Sequence, residues 1–93
     1  MRQVQKVIIT VIGKDCVGIM AKVCTYLADH RININDISQT IVSGYFNMMM
    51  IADMSDSTQD FDKVEADLEQ IGEQIGVRIK LQREEIFNMM HRV

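Results

Sequence analysis

The sequence predicts an α+β fold: four strands in one antiparallel sheet, two helices on one face of it, and a short C-terminal helix. Three observations lead there. Runs rich in β-branched residues with a period of two alternate with stretches whose apolar residues recur every three or four positions. The order of these stretches along the chain is βαββαβ. The two middle strand-like runs are separated only by Ser43-Gly44, a turn dipeptide that makes them a hairpin.

The first strand is "KVIITVI", Lys6 to Ile12. It is apolar on both faces, with Val7, Ile9 and Val11 on one and Ile8, Thr10 and Ile12 on the other, as a central strand requires. From Gly18 to His30 the spacing becomes helical, and Met20, Val23, Cys24 and Leu27 share a face. Alternation resumes at Ile32 to Ile34, slips at Asn35-Asp36, and continues through Ile37, Gln39 and Ile41; such a slip predicts a β-bulge. Tyr45 to Met54 alternates without interruption, with Phe46, Met48, Met50, Ala52 and Met54 on one side. "SDSTQD", Ser55 to Asp60, is a loop rich in helix-capping residues. Phe61, Val64, Leu68, Ile71 and Ile75 then repeat at helical spacing, and Gly76 supplies the stop. Val77, Ile79 and Leu81 alternate with Arg78, Lys80 and Gln82 as a last strand with one wet face. Ile86, Phe87 and Met90 fall on one side of a short terminal helix, about 84–91. Two right-handed crossovers joined by a hairpin make this the ferredoxin-like sandwich, a fold that names no function by itself. Residues 1–93 form a single domain, as the length suggests.

The face of the sheet away from the helices is also apolar. Ile8 and Ile12 of the first strand lie there with Tyr45, Met49 and Ile51 of the third, flanked by Arg78 and Lys80 of the last. A patch of that kind implies a cover. The C-terminal helix, a second subunit, or both can supply it, and a homodimer is expected.

Composition removes several functions. Ten basic and thirteen acidic residues leave a net charge of −3 with no long run of one sign, so the basic stripe of a nucleic-acid or anionic-membrane surface is missing. No apolar run approaches the ~18 residues of a membrane span, and a soluble, cytoplasmic protein is expected. Cys16 and Cys24 are eight residues apart. On a helix that spacing is roughly 12 Å, too far for a disulfide. A loop thiol and a core thiol are expected instead.

The stretch with most chemistry is "GKDCVGIMAKVC", Gly13 to Cys24, where two glycines frame a loop that opens onto a helix. A phosphate loop would carry Lys and Ser/Thr after its last glycine, whereas Ile19 and Met20 follow Gly18, and Asp15 would repel phosphate. A plain tight turn is one reading, with the glycines at positive φ and Asp15 near the N-cap. The other is a small zwitterion. The first turn of a helix has unpaired N–H groups and a partial positive charge suited to a carboxylate, and Asp15 suits an ammonium. Together these describe an α-amino acid. A second polar cluster, "NIND", Asn33 to Asp36, stands where the strand period slips, and bulges re-aim side chains. It also fits an ordinary polar edge strand.

Asp15-Cys-Val-Gly18-Ile19 at the head of a helix resembles the Asp-Lys-Pro-Gly-Leu signature of ACT domains, and "NINDISQT" resembles the Asn-Ile motif on their second strand. The short length and the tail "EEIFNMM" are similar to small stand-alone ACT proteins, the UPF0237-like group, themselves related to regulatory ACT proteins of glycine-cleavage control. The resemblance implies a regulatory module that binds an amino acid or similar effector at a subunit interface. One chain would contribute Asp15, Val17, Gly18 and Ile19, and its partner Asn33 and Asn35. Val17 stands where proline is common in the family, and Asp15 where some amino-acid-binding members have Asn.

Other functions on this fold fit poorly. An acyl-phosphate hydrolase of this topology would need an arginine in the first loop, where Lys14 stands, with Asn47 as its asparagine. His30 ends a helix and His91 lies in the tail, neither with an obvious carboxylate partner, so no enzyme is expected. A metal carrier would need Cys-x-x-Cys in the loop, and an RNA-binding sheet would need aromatics on both central strands. Neither a cofactor nor a metal is expected. The main alternative is a protein-interaction module that docks a partner on Tyr45, Met49 and Ile51.

Overall fold

The computed structural model describes residues 5–14 and 18–84. Its elements are β1 (Lys6–Gly13), α1 (Ile19–Asp29), β2 (Asn33–Val42), β3 (Tyr45–Asp53), α2 (Phe61–Ile75) and β4 (Arg78–Arg83). The strands form one sheet in the order β2-β3-β1-β4, and each neighbouring pair is antiparallel. This is the expected ferredoxin-like arrangement. The predicted terminal helix, about 84–91, lies outside the described residues beyond Glu84.

β1 runs between β3 and β4, which explains its β-branched residues on both faces. Toward the helices, Val7, Ile9 and Val11 meet Met48, Met50 and Ala52 of β3 and Ile79 and Leu81 of β4, all buried. Ile19, Val23 and Leu27 of α1 and Val64 and Leu68 of α2 close this core from above. Each such side chain contributes about 1.5–3 kcal/mol on burial. The α1 stripe runs in steps of four from Ile19, so Met20 packs at its margin and Cys24 is half-buried rather than enclosed. Cys24 is a free thiol.

Helix α2 begins at Asp60, whose carboxylate accepts the Lys63 N–H at 2.9 Å, and stops at Gly76 with φ 77°. Its return to β4 is tight. The Val77 N–H donates to the Gly72 carbonyl at 2.9 Å, and Gly72 is buried against this turn.

β2 is an edge strand. Its register slips between Ile34 and Asp36, and Asn35 is the extra residue, as the sequence pattern implied. The bulge keeps Ile34, opposite Ala52, and Ile37, opposite Met50, on the helix-facing side. The helices nevertheless stop short of this edge: Ile37 is 39% exposed and Ile41 70%. On the open face, burial is graded along the strands. Ile8 is 3% exposed, whereas Ile12, Met49 and Tyr45 at the other end are 42%, 38% and 46% exposed.

Candidate functional site

The loop between β1 and α1 reaches its helix through Gly18, the N-cap, at φ 86° and ψ −19°. That left-handed conformation selects glycine for the backbone's sake. A Cβ built at Gly18 meets no atom of the described residues within 4 Å. No acid lies in the first turn of α1. Gly18 itself starts the helical ladder, its carbonyl accepting the Lys22 N–H at 3.0 Å. Ile19 is 1% exposed and belongs to the core. Lys14 leans over the Tyr45 ring, with Nζ 5.8 Å from the centroid, and places a cation beside this end of β1. Asp15 and Val17 lie outside the described residues.

Asn33 opens β2 opposite Asp53, and Asn35 is the bulged residue; both are exposed. Nearby, Asp53 accepts the Ser55 N–H at 2.9 Å and its hydroxyl, which holds the carboxyl below its ordinary pKa. The two halves of the expected site are far apart within one chain. Gly13 shares a row with Phe46 and Ile41, whereas Asn33 shares one with Asp53 and Lys6. Seven residues of β1 separate these rows, roughly 23 Å of strand. No single chain brings Gly18 together with Asn33 or Asn35.

A polar cluster that the sequence reading missed ties the helices together. The Tyr26 hydroxyl on α1 donates to Asp67 Oδ2 on α2 at 2.5 Å, and Lys63 Nζ lies 2.8 Å from Oδ1. Hydrogen bonds from Lys63 and then Tyr26 hold the Asp67 carboxyl below its ordinary pKa. Burial, followed by the bond to Asp67, pushes the Tyr26 phenol well above its usual range. His30 stacks on the Tyr26 ring at 4.2 Å, and its Nδ1 lies 2.9 Å from the Tyr26 carbonyl. The i, i+4 spacings of Tyr26 with His30 and of Lys63 with Asp67 were the available signals. The bond between helices had none.

A shallow groove lies elsewhere, between α2 and β4, lined by Glu69, Glu73, Val77, Arg78, Ile79 and Lys80. Its acids come from α2 and its bases from β4, and none of the expected site residues borders it. Among the described residues, no group of three or more His, Cys, Asp or Glu is placed to hold a metal ion. No helix among them is long and apolar enough to cross a membrane.

Comparison with known proteins places this geometry. The ACT domain family model matches residues 5–82. A UPF0237 protein of Bifidobacterium longum is 59% identical over 88 residues, covering 95% of this chain and 98% of its own length. The solved structure of an ACT domain protein from Streptococcus pneumoniae superposes with a TM-score of 0.80 at 42% identity, covering 91% of this chain and 96% of that one. A candidate glycine cleavage system transcriptional repressor superposes with a TM-score of 0.74 at 25% identity, over 86% of this chain and 46% of its own. With the family match spanning nearly every described residue, and with relatives similar from end to end, the chain belongs to the ACT domain family.

Proposed function

We propose that this chain is a regulatory module that binds a small effector carrying both a carboxylate and an ammonium, an α-amino acid or a close relative, at the interface of a homodimer. It has no catalytic role in this reading. The observation that carries the proposal is the start of α1: a helix N-terminus with a left-handed glycine cap, no acid in its first turn, and no atom of the described residues within 4 Å of a Cβ built on that glycine. Its first-turn N–H groups and partial positive charge suit a carboxylate. Asp15 is assigned to the ammonium. Asn33 and Asn35 complete the polar set from the partner, since their own chain holds them at the far end of the sheet. The family supports a regulatory role, as does the likeness to a candidate transcriptional repressor. A ligand touching two chains favours one arrangement of them, and a coupling of ~1–3 kcal/mol is enough to switch an attached partner.

A thermal-shift screen of the twenty amino acids tests this. An effector at 100 times its Kd stabilises the fold by about 2.7 kcal/mol. Asn33→Ala is expected to keep the fold, because Asn33 is exposed, and to weaken binding by about 1–3 kcal/mol in calorimetry. Unchanged affinity in that variant would move the site elsewhere. A flat response across the panel would favour the second reading, a protein-docking module, for which the exposed Ile12, Tyr45 and Met49 are the motive.

A further inference from the structure

We propose that the free edge of β4 takes a short extended segment of a partner protein as a fifth strand, one that carries bases toward α2 and acids toward the open face of the sheet. The contact is independent of the effector reading, since none of that site's residues borders the groove between α2 and β4.

The register shows which backbone groups β4 leaves free. The Met54 N–H donates to the Gln5 carbonyl at 2.8 Å, one step beyond the pair Lys6 and Asp53, so Gln5 and Met54 are a hydrogen-bonded pair. The turn at Ser43 and Gly44, with φ 52° and 80°, is of type I′ and sets the same phase from the other end of β3. Alternation along β1 then directs the backbone groups of Val7, Ile9 and Val11 to β3 and those of Ile8, Thr10 and Ile12 to β4. Their partners there are Gln82, Lys80 and Arg78, so Ile79 and Leu81 turn their N–H and C=O outward. Among the described residues nothing outside the sheet takes up those groups. The open stretch is short. At one end the Val77 N–H is bonded to the Gly72 carbonyl, and at the other the Arg83 guanidinium lies over the Phe61 ring, 4.1 Å from its centroid.

The walls choose the side chains. Glu69 and Glu73 stand on α2 on one side of this edge, and Arg78 and Lys80 on β4 on the other. All four are exposed, and among the described residues none of them forms an ion pair. Four helical residues advance about 6 Å and two strand residues about 6.7 Å, so both rows of charge keep step with the two-residue repeat of an added strand. Bases on its α2 side reach Glu69 and Glu73 while their methylene stems lie along Val77 and Ile79. Acids on its other side meet Arg78 and Lys80. A second β4 does not fit, because such a pairing sets Arg78 and Lys80 beside their own copies. Charge on an edge strand keeps like edges apart, and here it admits a strand of the complementary pattern.

The probe is the capped peptide Lys-Glu-Lys-Glu-Lys-Glu, titrated into the full chain and followed by amide NMR. One control has the same composition in blocks, Lys-Lys-Lys-Glu-Glu-Glu; the other has proline in place of the central lysine, which removes an N–H. The alternating peptide is expected to shift the Ile79 and Leu81 amides and slow their exchange, and both controls to leave them in place. These controls need no change in the protein. Glu69→Lys combined with Glu73→Lys is expected to keep the parent's melt, both positions being exposed, and to weaken binding about ten-fold or more. Equal binding of the block and alternating peptides overturns the proposal, as do shifts centred on another strand or no shift at millimolar peptide. Protection of Ile79 and Leu81 that rises with protein concentration, with no peptide added, identifies a second copy as the occupant and overturns it too. None of these outcomes bears on the amino-acid screen, so failure here is distinct from failure of the effector reading.

Discussion

At Tyr26 a phenol serves as a bolt between two helices. Its hydroxyl proton is held by Asp67, and burial and that bond together keep the phenol protonated beyond the usual tyrosine range. A group whose pKa rises on folding stabilises the fold fully below its unfolded value, near ~10 for tyrosine, and loses that contribution as the pH climbs through the folded value. Asp67 works in the opposite sense. Its lowered pKa stabilises above the ordinary carboxylate value of ~4 and is lost as the pH falls through the folded one. The clasp is therefore whole across the neutral range. Tyr26→Phe is expected to cost about 1 kcal/mol at pH 7. Its urea midpoint should also fall less steeply than the parent's above pH 10, and parallel curves for the two would dissociate the bond from the pH dependence. The sequence did not disclose this pair. Tyr26 and Asp67 meet because the shapes of core residues set how the two helices lie on the sheet, and no local pattern encodes that. His30 was read as lacking a carboxylate partner, and it stacks on the ring that holds one.

The strands were legible because their alternation records which side chains meet the helices. The bulge was legible too, since Asn35 interrupts a period that Ile34 and Ile37 otherwise keep. The exposure of the apolar residues on β2 was not. Ile37 and Ile41 follow the same alternation as a buried strand, and only the width of the helix layer leaves them uncovered. Nor was the role of Gly72, which reads as a neutral position in the α2 pattern. A Cβ there would sit 2.7 Å from the Val77 carbonyl oxygen and 3.2 Å from the Ile79 side chain. Helix propensity favours Ala over Gly by about 1 kcal/mol. The clash is with backbone that cannot swing aside, and overpacking of this kind costs about 1–3 kcal/mol or more. Gly72→Ala is therefore expected to destabilise by a net of up to about 2 kcal/mol in denaturant unfolding. A gain in stability would show that the turn into β4 yields.

Taken as a whole, the molecule has one closed layer and one half-closed face. Ile8 lies on the open face yet is 3% exposed, while Ile12 on the same strand is 42% exposed. β4 ends beside Val7, at the Ile8 end of that face. The sequence alone carries the expectation that Ile86, Phe87 and Met90 pack as one side of a terminal helix, and it supplies a test. A chain ending at Glu84 is expected to lose about 1.5–3 kcal/mol for the uncovered isoleucine alone. Identical melting of the two chains would show that the tail is dispensable. The apolar open face was legible from the doubly apolar first strand; its gradient was not, because period-two patterning says which side a residue faces and not what lies above it. The strand order also bears on how the chain is made. β1 pairs with β3 and β4, the latter as remote as Val7 with Arg83, and only β2 and β3 are joined by a tight turn. The run Lys6 to Ile12 is therefore translated well before either of its neighbours. It stays bare until the hairpin arrives, then keeps one unpaired, β-branched edge until Arg78–Arg83 emerges from the ribosome. Exposed segments of that composition are the ones that associate with copies of themselves. Until Arg78–Arg83 docks, the sheet has three strands with β1 as its open border, and self-association is expected to compete with folding in that interval.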